Sequence, residues 1–515
     1  MSNSRLENSI KNMFSGVAAK VILLLLNFVV RTVFIRTLGN DYLGVNGLYS
    51  NILGMLSLAE LGFGTAMVYN MYRPLAEKND KKLAALLQLY RKVYIAIGSV
   101  VLAVGLALVP FLDSLIKDQP DVEHLTLYYV MYLGNSVLSY WFWGYRCSIL
   151  TADQKEYIRT NIRAGLSALK AVAQIVVLVC LHNFTVYLII QLGTTLLENV
   201  IAARKAEKMY TAFRVEEVEE LTSDERKQIA KDVKSLAVTR VGHVALHSTD
   251  SIIISSLIGV AWVGLLSNYQ LIVETITGVL CLFTGAITSS LGNYFAEKSR
   301  DEGATLFRRV EFVNFWMYGL CSIALIVLLD PFICLWLGAD YCLDFPVTAV
   351  IVLNFFVQGY MNVLWTFRSA MGLFSQGWYR SLIVAAINLV LSLLLGSRWG
   401  VFGVLIATFI ANAAARIWFD PLIIHKYGFG CSVKGYYLSC MSRVVQVVCI
   451  MLTILAIRPL ILRDEITVVN FVILVCVTAV IAIVSFYILN FKRDEFGYMK
   501  DTGWRVIRKL RSRHV

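Results

Sequence analysis

The stretch TRVGHVALHSTDS at 239–251 places Arg240, His243, His247 and Asp250 directly ahead of the apolar run IIISSLIGVAWVGLL. At the 100° per residue of an α-helix, these four side chains project at about 0°, −60°, −20° and −80°, on a single face. Near the start of the chain Lys20, Asn27 and Arg31 project at about 0°, −20° and +20°, a narrower stripe. An ionisable side chain deep in an apolar helix normally faces protein or water, because insertion into hydrocarbon costs roughly 2.5–3.5 kcal/mol. Both stripes therefore have the pattern of helices lining an aqueous cavity. Guanidinium and ammonium groups with imidazoles beside them suit an anion. Phosphate fits best, since the planar fork of arginine donates two hydrogen bonds at once. The substrate-binding candidates are thus Lys20, Asn27, Arg31, Arg240, His243 and His247. Lys20 and Arg240 lie near a helix end, so the alternative is that they reach to lipid headgroups.

The acids in comparable positions are Asp250, Glu60 in LAELGFGTA, Glu198 and Glu274. Asp250 is either a counter-ion for Arg or His of its own helix or a coupling site for H+ or Na+. Glu60 and Glu274 are either coupling carboxylates or satisfied interhelical contacts, and Glu198 reads in the same two ways. Arg146, Arg368 and Arg380 sit near helix ends and read as interfacial anchors, and YWFWGY at 140–145 reads as part of an aromatic belt. The sequence supplies no metal-ligand pattern and no catalytic or nucleotide-binding motif (P-loop, HExxH, GxSxG), so neither an enzyme nor a bound cofactor is expected.

The elements that carry these residues are long and apolar. Of 515 residues 58% are hydrophobic and only 16% charged, against about a quarter charged in soluble domains. Segments 468–489 and 93–112 contain no charged residue, and about 18 such residues suffice to cross a bilayer. The pattern predicts an all-α polytopic membrane protein. About fourteen transmembrane helices are expected, at 13–36, 43–72, 90–112, 125–149, 162–181, 184–204, 235–258, 262–293, 310–336, 346–371, 379–397, 399–423, 438–459 and 467–491. The N-terminal MSNSRLENSIKN reads as a cytoplasmic start rather than a signal peptide. The ten cysteines, without a CxxC pair, read as small buried hydrophobes.

Loop charge alternates along the chain. Segment 73–92 carries six Lys or Arg against two acids, segment 111–123 one against four, segment 330–344 three acids and no base, and the tail from 492 eight bases against three acids. Basic short loops mark the cytoplasmic side, which puts both termini inside. The net charge of +12 is thereby mostly orientation, and nucleic acid is excluded as a partner. In 207–234, Thr222 and Glu225 have capping-box spacing, which predicts a cytoplasmic linker helix. The basic tail, 493–515, predicts an amphipathic helix on anionic lipid, with a disordered polybasic end as the alternative.

The chain also repeats itself. A shift of 220 residues pairs Gly39 with Gly259, Gly44 with Gly264, Tyr49 with Tyr269, Ile52 with Ile272, Phe63 with Phe283, Ala66 with Ala286, and Ala76-Glu77-Lys78 with Ala296-Glu297-Lys298. That makes nine identities over 42 positions, and extended backward it sets Lys20 on Arg240 and Asn27 on His247. Six spans separate the copies, so the repeat is parallel and its lobes relate by an axis along the membrane normal. The expected organisation is an N-lobe at 1–206, a linker helix at 207–234, a C-lobe at 235–426, two further spans at 427–492 and the tail at 493–515. Such lobes suit alternating access to a central cavity.

In this arrangement the chain resembles the multidrug/oligosaccharidyl-lipid/polysaccharide exporter superfamily. Within it, RTVFIRTLGNDYLGVNGLYSNILGMLSLAELGFGTAMVYNMYRPLAEKND and its second copy are similar to the polysaccharide transporters that flip O-antigen or capsule repeat units. The resemblance implies a flippase of the bacterial cytoplasmic (inner) membrane. It would move undecaprenyl-pyrophosphate-linked oligosaccharide from the inner to the outer leaflet for surface polysaccharide biosynthesis. The family's cationic cavity corresponds by residue type and helix to Lys20, Arg31 and Arg240, while the two histidines have no counterpart in it. Membrane lipids and polysaccharide polymerase machinery are the implied partners, and the transporter is expected to be monomeric. A lipid II flippase and a multidrug/cation antiporter of the same fold are the alternatives; an antiporter for cations would favour an acidic cavity.

Overall fold

The computed structural model describes residues 2–60, 63–117, 120, 122–215, 218–297, 299–373, 379–462 and 466–501, with the side chains of 2–24, 58–59, 232, 234–248, 282–290, 292–297 and 381 outside the description. Of the tail expected at 493–515, residues 494–501 are helical and 502–515 lie outside the described residues. Among them the chain is helical and contains no strand. A helix satisfies its own backbone donors and acceptors, which an apolar segment in hydrocarbon must do.

The long helices are α1 (Ser2–Leu56), α2 (Phe63–Glu77), α3 (Asp80–Leu108), α4 (Leu125–Trp141), α5 (Glu156–Leu181), α6 (Phe184–Met209), α7 (Ser223–Leu257), α8 (Val260–Glu297), α9 (Arg300–Leu337), α10 (Phe345–Ala370), α11 (Arg380–Asn412), α12 (Lys434–Leu462) and α13 (Val468–Asn490). Nine segments among the described residues are long and apolar enough to cross a membrane. One of them, Leu382–Phe429, has 48 residues and takes in most of the span expected at 379–397 and all of that expected at 399–423, and the backbone breaks at Gly400 (φ 59°), just inside the second. The protein is a multi-pass membrane protein. The capping box expected at Thr222 and Glu225 is present and starts α7, which runs on unbroken through the expected linker and seventh span.

Contacts divide the chain into two units, residues 1–264 and 265–515. Unit 1 holds α1 to α7 and the first turn of α8. Its core includes Phe34, Leu43, Tyr49 and Tyr129, all at most 2% exposed. Inside it the second half of α1 meets the start of α8, and this contact obeys the 220-residue shift. Gly39 (φ 86°) and Gly259 (φ 146°), paired by the repeat, both adopt the left-handed region that favours glycine, and each turns the chain between two helical runs. Five residues on, a Cβ at Gly44 would lie 2.2 Å from the Val260 carbonyl oxygen, and one at Gly264 would lie 2.7 Å from the Asn40 carbonyl oxygen. Val260 is the repeat mate of Asn40. The contact is therefore reciprocal, as across a twofold axis. Asn40 Nδ2 donates to Ala261 O at 2.9 Å beside it.

Two other repeat-paired positions play matched roles. The Tyr49 hydroxyl donates to Leu125 O at the start of α4, while the Tyr269 hydroxyl accepts from Leu343 N ahead of α10. Asn79 caps α3 by accepting from Lys82 N, and Ser299 caps α9 in a capping box with Glu302. These caps directly follow the AEK stretches.

In unit 2, α9 is the hub. Phe307, Phe312, Phe315, Trp316 and Tyr318 along it are all nearly inaccessible. Phe486 of α13 packs on the Trp316 ring at 4.7 Å, and Arg443 of α12 pairs with the buried Glu311 carboxylate at 2.8 Å. The last two long helices thus dock on α9. Their outward faces carry exposed Leu438, Met441, Val468 and Val480, which suits lipid. Cys334 and Cys342 are free thiols.

Gly44→Ala forces a methyl group into a backbone carbonyl that cannot rotate away, so it destabilises by about 1–3 kcal/mol. Gly134→Ala, with nothing within 4 Å of the new Cβ, serves as the neutral comparison. Thermal unfolding in detergent, followed by loss of the monodisperse chromatographic peak, separates the two.

Candidate functional site

The two sequence stripes lie on α1 and α7, which pack against each other inside unit 1. Asn51 Nδ2 on α1 donates to Ser251 Oγ on α7 at 3.1 Å and fixes that packing next to Asp250. The backbone places Lys20 on α1 and Arg240, His243 and His247 on α7; their side chains lie outside the described residues. Asn27 is exposed on α1. One turn further, Arg31 is half-buried with the buried Tyr132 and Tyr187 as its electrostatic neighbours, and Tyr132 in turn donates to Asn46 Oδ1. Asp250 is half-buried on α7 and already engaged in a contact. Glu274 is exposed on α8, in unit 2.

Glu60 is not on a regular helix. It ends a short 3-10 turn, Ser57–Glu60, between α1 and α2, and its Oε1 accepts from the Tyr94 hydroxyl at 2.8 Å. Tyr90 donates to Tyr94 at 3.1 Å, extending the chain of hydroxyls.

A third basic stripe escaped the sequence reading. On α5, Arg159, Arg163 and Lys170 project at about 0°, 40° and 20°, so i, i+4 and i+11 share one side. That spacing within EYIRTNIRAGLSALK was the available signal. Lys170 lies about 21 Å along the helix from Glu156, which places it well inside the span. It is half-buried, with Arg163 and Glu198 as its charged neighbours, whereas Arg163 is exposed. Glu198 is thus the acid of a basic neighbourhood. α5 packs on both α1 and α6, so Arg31 and the α5 stripe belong to adjoining helices of one unit. The arrangement can neutralise a multiply charged anion and leave its uncharged portion free.

Arg368 and Arg380 prove not to be interfacial anchors. Both are nearly fully buried in unit 2 and share the carboxylate of Asp420, at 2.9 and 2.7 Å from its Oδ1. The Arg380 guanidinium also lies 3.9 Å from the centre of the Phe419 ring. Asp420 sits between two π-helical stretches, Ala413–Ile417 and Ile424–Phe429, whose irregular turns present it to both arginines. Two ions of one sign need such a shared counter-ion when buried. Arg146 is only half-buried: it pairs with Glu207 at 2.9 Å and lies over the Trp143 ring at 5.5 Å. On the polar side of unit 1, Lys82 bonds to Glu225 at the head of α7 and holds that carboxyl below its ordinary range.

Comparison of the sequence with protein-family models and with characterised proteins finds no match. Comparison of the fold with solved structures finds transporters of the MOP superfamily. An inward-facing multidrug resistance MATE family transporter superposes with a TM-score of 0.60 at 14% identity, covering 80% of this chain and 98% of its own. The lipid II flippase MurJ in its inward closed conformation gives 0.60 at 15% identity and covers 94% of this chain and 98% of its own. The Vibrio cholerae MATE transporter VcmN gives 0.57 at 14% identity and covers 82% and 96%. At these identities the likeness establishes the fold, a MOP-type transporter fold.

Asp420→Ala leaves two arginines buried without a counter-charge, a loss of about 3–5 kcal/mol that removes most folded protein from a detergent extract. Arg163→Ala, on an exposed position, changes stability by less than about 0.5 kcal/mol. The two variants measured side by side separate cations that hold the fold from cations free to serve a ligand. The Lys82–Glu225 pair adds stability above the unfolded carboxyl range, and this is lost as pH falls through the lowered folded value. Acid therefore loosens the head of α7, which hydrogen exchange there reads out.

Proposed function

We propose that this protein is a flippase that carries undecaprenyl-pyrophosphate-linked oligosaccharide from the inner to the outer leaflet of a bacterial cytoplasmic membrane, by ion-coupled alternating access, for assembly of O-antigen or capsule. It is proposed to act as a transporter and not as an enzyme. The observation that carries this reading is the concentration of cations on adjoining helices of unit 1: Arg31 on α1 and Arg159, Arg163 and Lys170 on α5, with Lys20 and Arg240 on α1 and α7. A pyrophosphate is a compact anion that several fixed cations can desolvate and hold together. The isoprenoid tail stays in hydrocarbon while the charged and sugar-bearing end crosses through water.

The same cations disfavour an antiporter for cationic drugs, which needs an acidic cavity. A second reading, flipping of lipid II, draws on one comparison. The match to the lipid II flippase leaves 6% of 515 residues outside, about 31, fewer than the 57 residues from Lys434 to Asn490. That match therefore includes part of the stretch 434–490. Both readings share a pyrophosphate-bearing lipid, and they part at the glycan.

In cells lacking the gene, the lipid-linked species that builds up on the cytoplasmic leaflet identifies the substrate. A repeat-unit oligosaccharide is expected, and lipid II in its place selects the second reading. The double variant Arg31→Ala, Arg240→Ala is expected to insert normally and to fail to clear the accumulated lipid. Full clearance by that variant refutes the cationic pyrophosphate site. Arg31→Lys keeps the charge but loses the fork, and a partial rate is expected.

A further inference from the structure

Glu60 occupies an unusual place for a carboxylate. It lies between α1 and α2, near the middle of the span expected at 43–72. The helix is interrupted there by the Ser57–Glu60 turn. Interrupted helices at this depth are where membrane transporters bind coupling ions. The three oxygens of Glu60 Oε1, Tyr90 OH and Tyr94 OH converge on the Cα of Gly64: a Cβ there would lie 2.7, 2.8 and 3.2 Å from them. Among the described residues the carboxylate makes no salt bridge, and its hydrogen-bond partner is the Tyr94 hydroxyl. Tyr90 and Tyr94 are buried and stacked edge to face at 4.5 Å, with Tyr140 and Tyr145 closing the aromatic wall.

The charged and titratable groups around the turn follow from its neighbours. α3 contributes Tyr90 and Tyr94, and α1 contributes only Tyr49 between Leu43 and Leu56. α7, packed on the same turn, carries Arg240, His243, His247 and Asp250. Beyond Tyr90 lie Arg159 and Cys147.

We propose that Glu60 is the proton-carrying group of the transport cycle, with Tyr94 and Tyr90 as the relay that delivers or withdraws the proton. The proposal rests on the transporter reading for its role in the cycle but not for its chemistry. In the uptake step the Tyr94 hydroxyl proton passes to a Glu60 carboxylate oxygen, the Tyr90 hydroxyl proton passes to the Tyr94 oxygen, and hydronium gives its proton to the Tyr90 oxygen: each O–H bond broken is replaced, water is left, and the formal charge on the turn disappears. Both hydrogen bonds are thereby reversed, with Glu60 donating to Tyr94 and Tyr94 donating to Tyr90. Release reverses each change. The uncharged turn can be enclosed by protein, and the charged one requires water, so occupancy by the proton biases which side of the membrane the turn is open to.

The test is made on purified full-length protein in two measurements. Infrared difference spectra between acid and alkaline buffer are expected to show a protonated-carboxyl band that is absent in Glu60→Gln and shifted in frequency in Tyr94→Phe, where its hydrogen bond is lost. A carboxyl band unchanged in both variants overturns the proposal, whatever the protein transports. Where Glu60→Gln does not yield folded protein, the frequency shift in Tyr94→Phe decides alone. In liposomes carrying lipid-linked oligosaccharide, a pH gradient is expected to speed wild-type flipping at least tenfold and Glu60→Gln flipping not at all. A gradient response retained by Glu60→Gln, or a Glu60-dependent response to sodium in place of protons, also overturns it. Absence of any flipping by wild type, with the infrared band present, counts against the flippase reading and leaves the proton site standing.

Discussion

Hydrocarbon does not hydrate charge, and the placement of ionisable residues in this protein follows from that. A charged side chain inside a span must meet a counter-ion, a hydroxyl, or water, and each of the three outcomes occurs. Arg368 and Arg380 close on Asp420, and Arg443 closes on Glu311, all buried in unit 2. Glu60 meets tyrosine hydroxyls. Arg163 remains exposed on α5, and Arg31 is half-buried among tyrosines. The first group builds the fold, because removing one partner strands the other. The last group is what a charged ligand can use.

The two units divide this labour unevenly. In unit 2 the buried ions tie α10, α11 and the π-helical stretches together, and α9 receives α12 and α13 through Glu311 and Trp316. In unit 1 the cations lie along adjoining helices with few acids nearby, Glu198 being the clearest. A duplicated architecture has thus kept its backbone devices in both copies: the turns at Gly39 and Gly259, the tyrosines at 49 and 269, the caps at Asn79 and Ser299. Its charges have diverged. Glu60 has Leu280 at the repeat-related position.

Much of the fold was legible in the sequence because the governing signals are local. Apolar length announces spans, and Thr222 with Glu225 announces a helix start that the structure shows. The 220-residue shift was legible because glycines at close backbone approaches tolerate no other residue: Gly44 and Gly264 survive in both copies for the same steric reason. Ion pairs were harder to read. Asp420 lies 52 residues from Arg368 and 40 from Arg380, and no periodicity links them, so two buried arginines passed for interfacial anchors. The α5 stripe obeyed helical spacing and could have been found. Its first member lies only three residues inside the helix start, where basic residues pass for loop charge. The broken helix at Glu60 had no local warning beyond the glycines that follow it.

The boundary of unit 1 also bears on how the protein is made. The first copy of the repeat counts six spans, yet its contacts run through α7 to Gly264. Between the α3–α4 connection and α7, Lys117 N donates to Ser255 O and Ser255 Oγ donates to Leu115 O, and Asn40 waits for Ala261. A nascent chain that has inserted only α1 to α6 therefore still holds open polar groups that α7 and the head of α8 later satisfy. During synthesis the first half of the molecule remains unfinished until the second half has begun, and these groups stay open to water between the completion of Met209 and the arrival of Ala261.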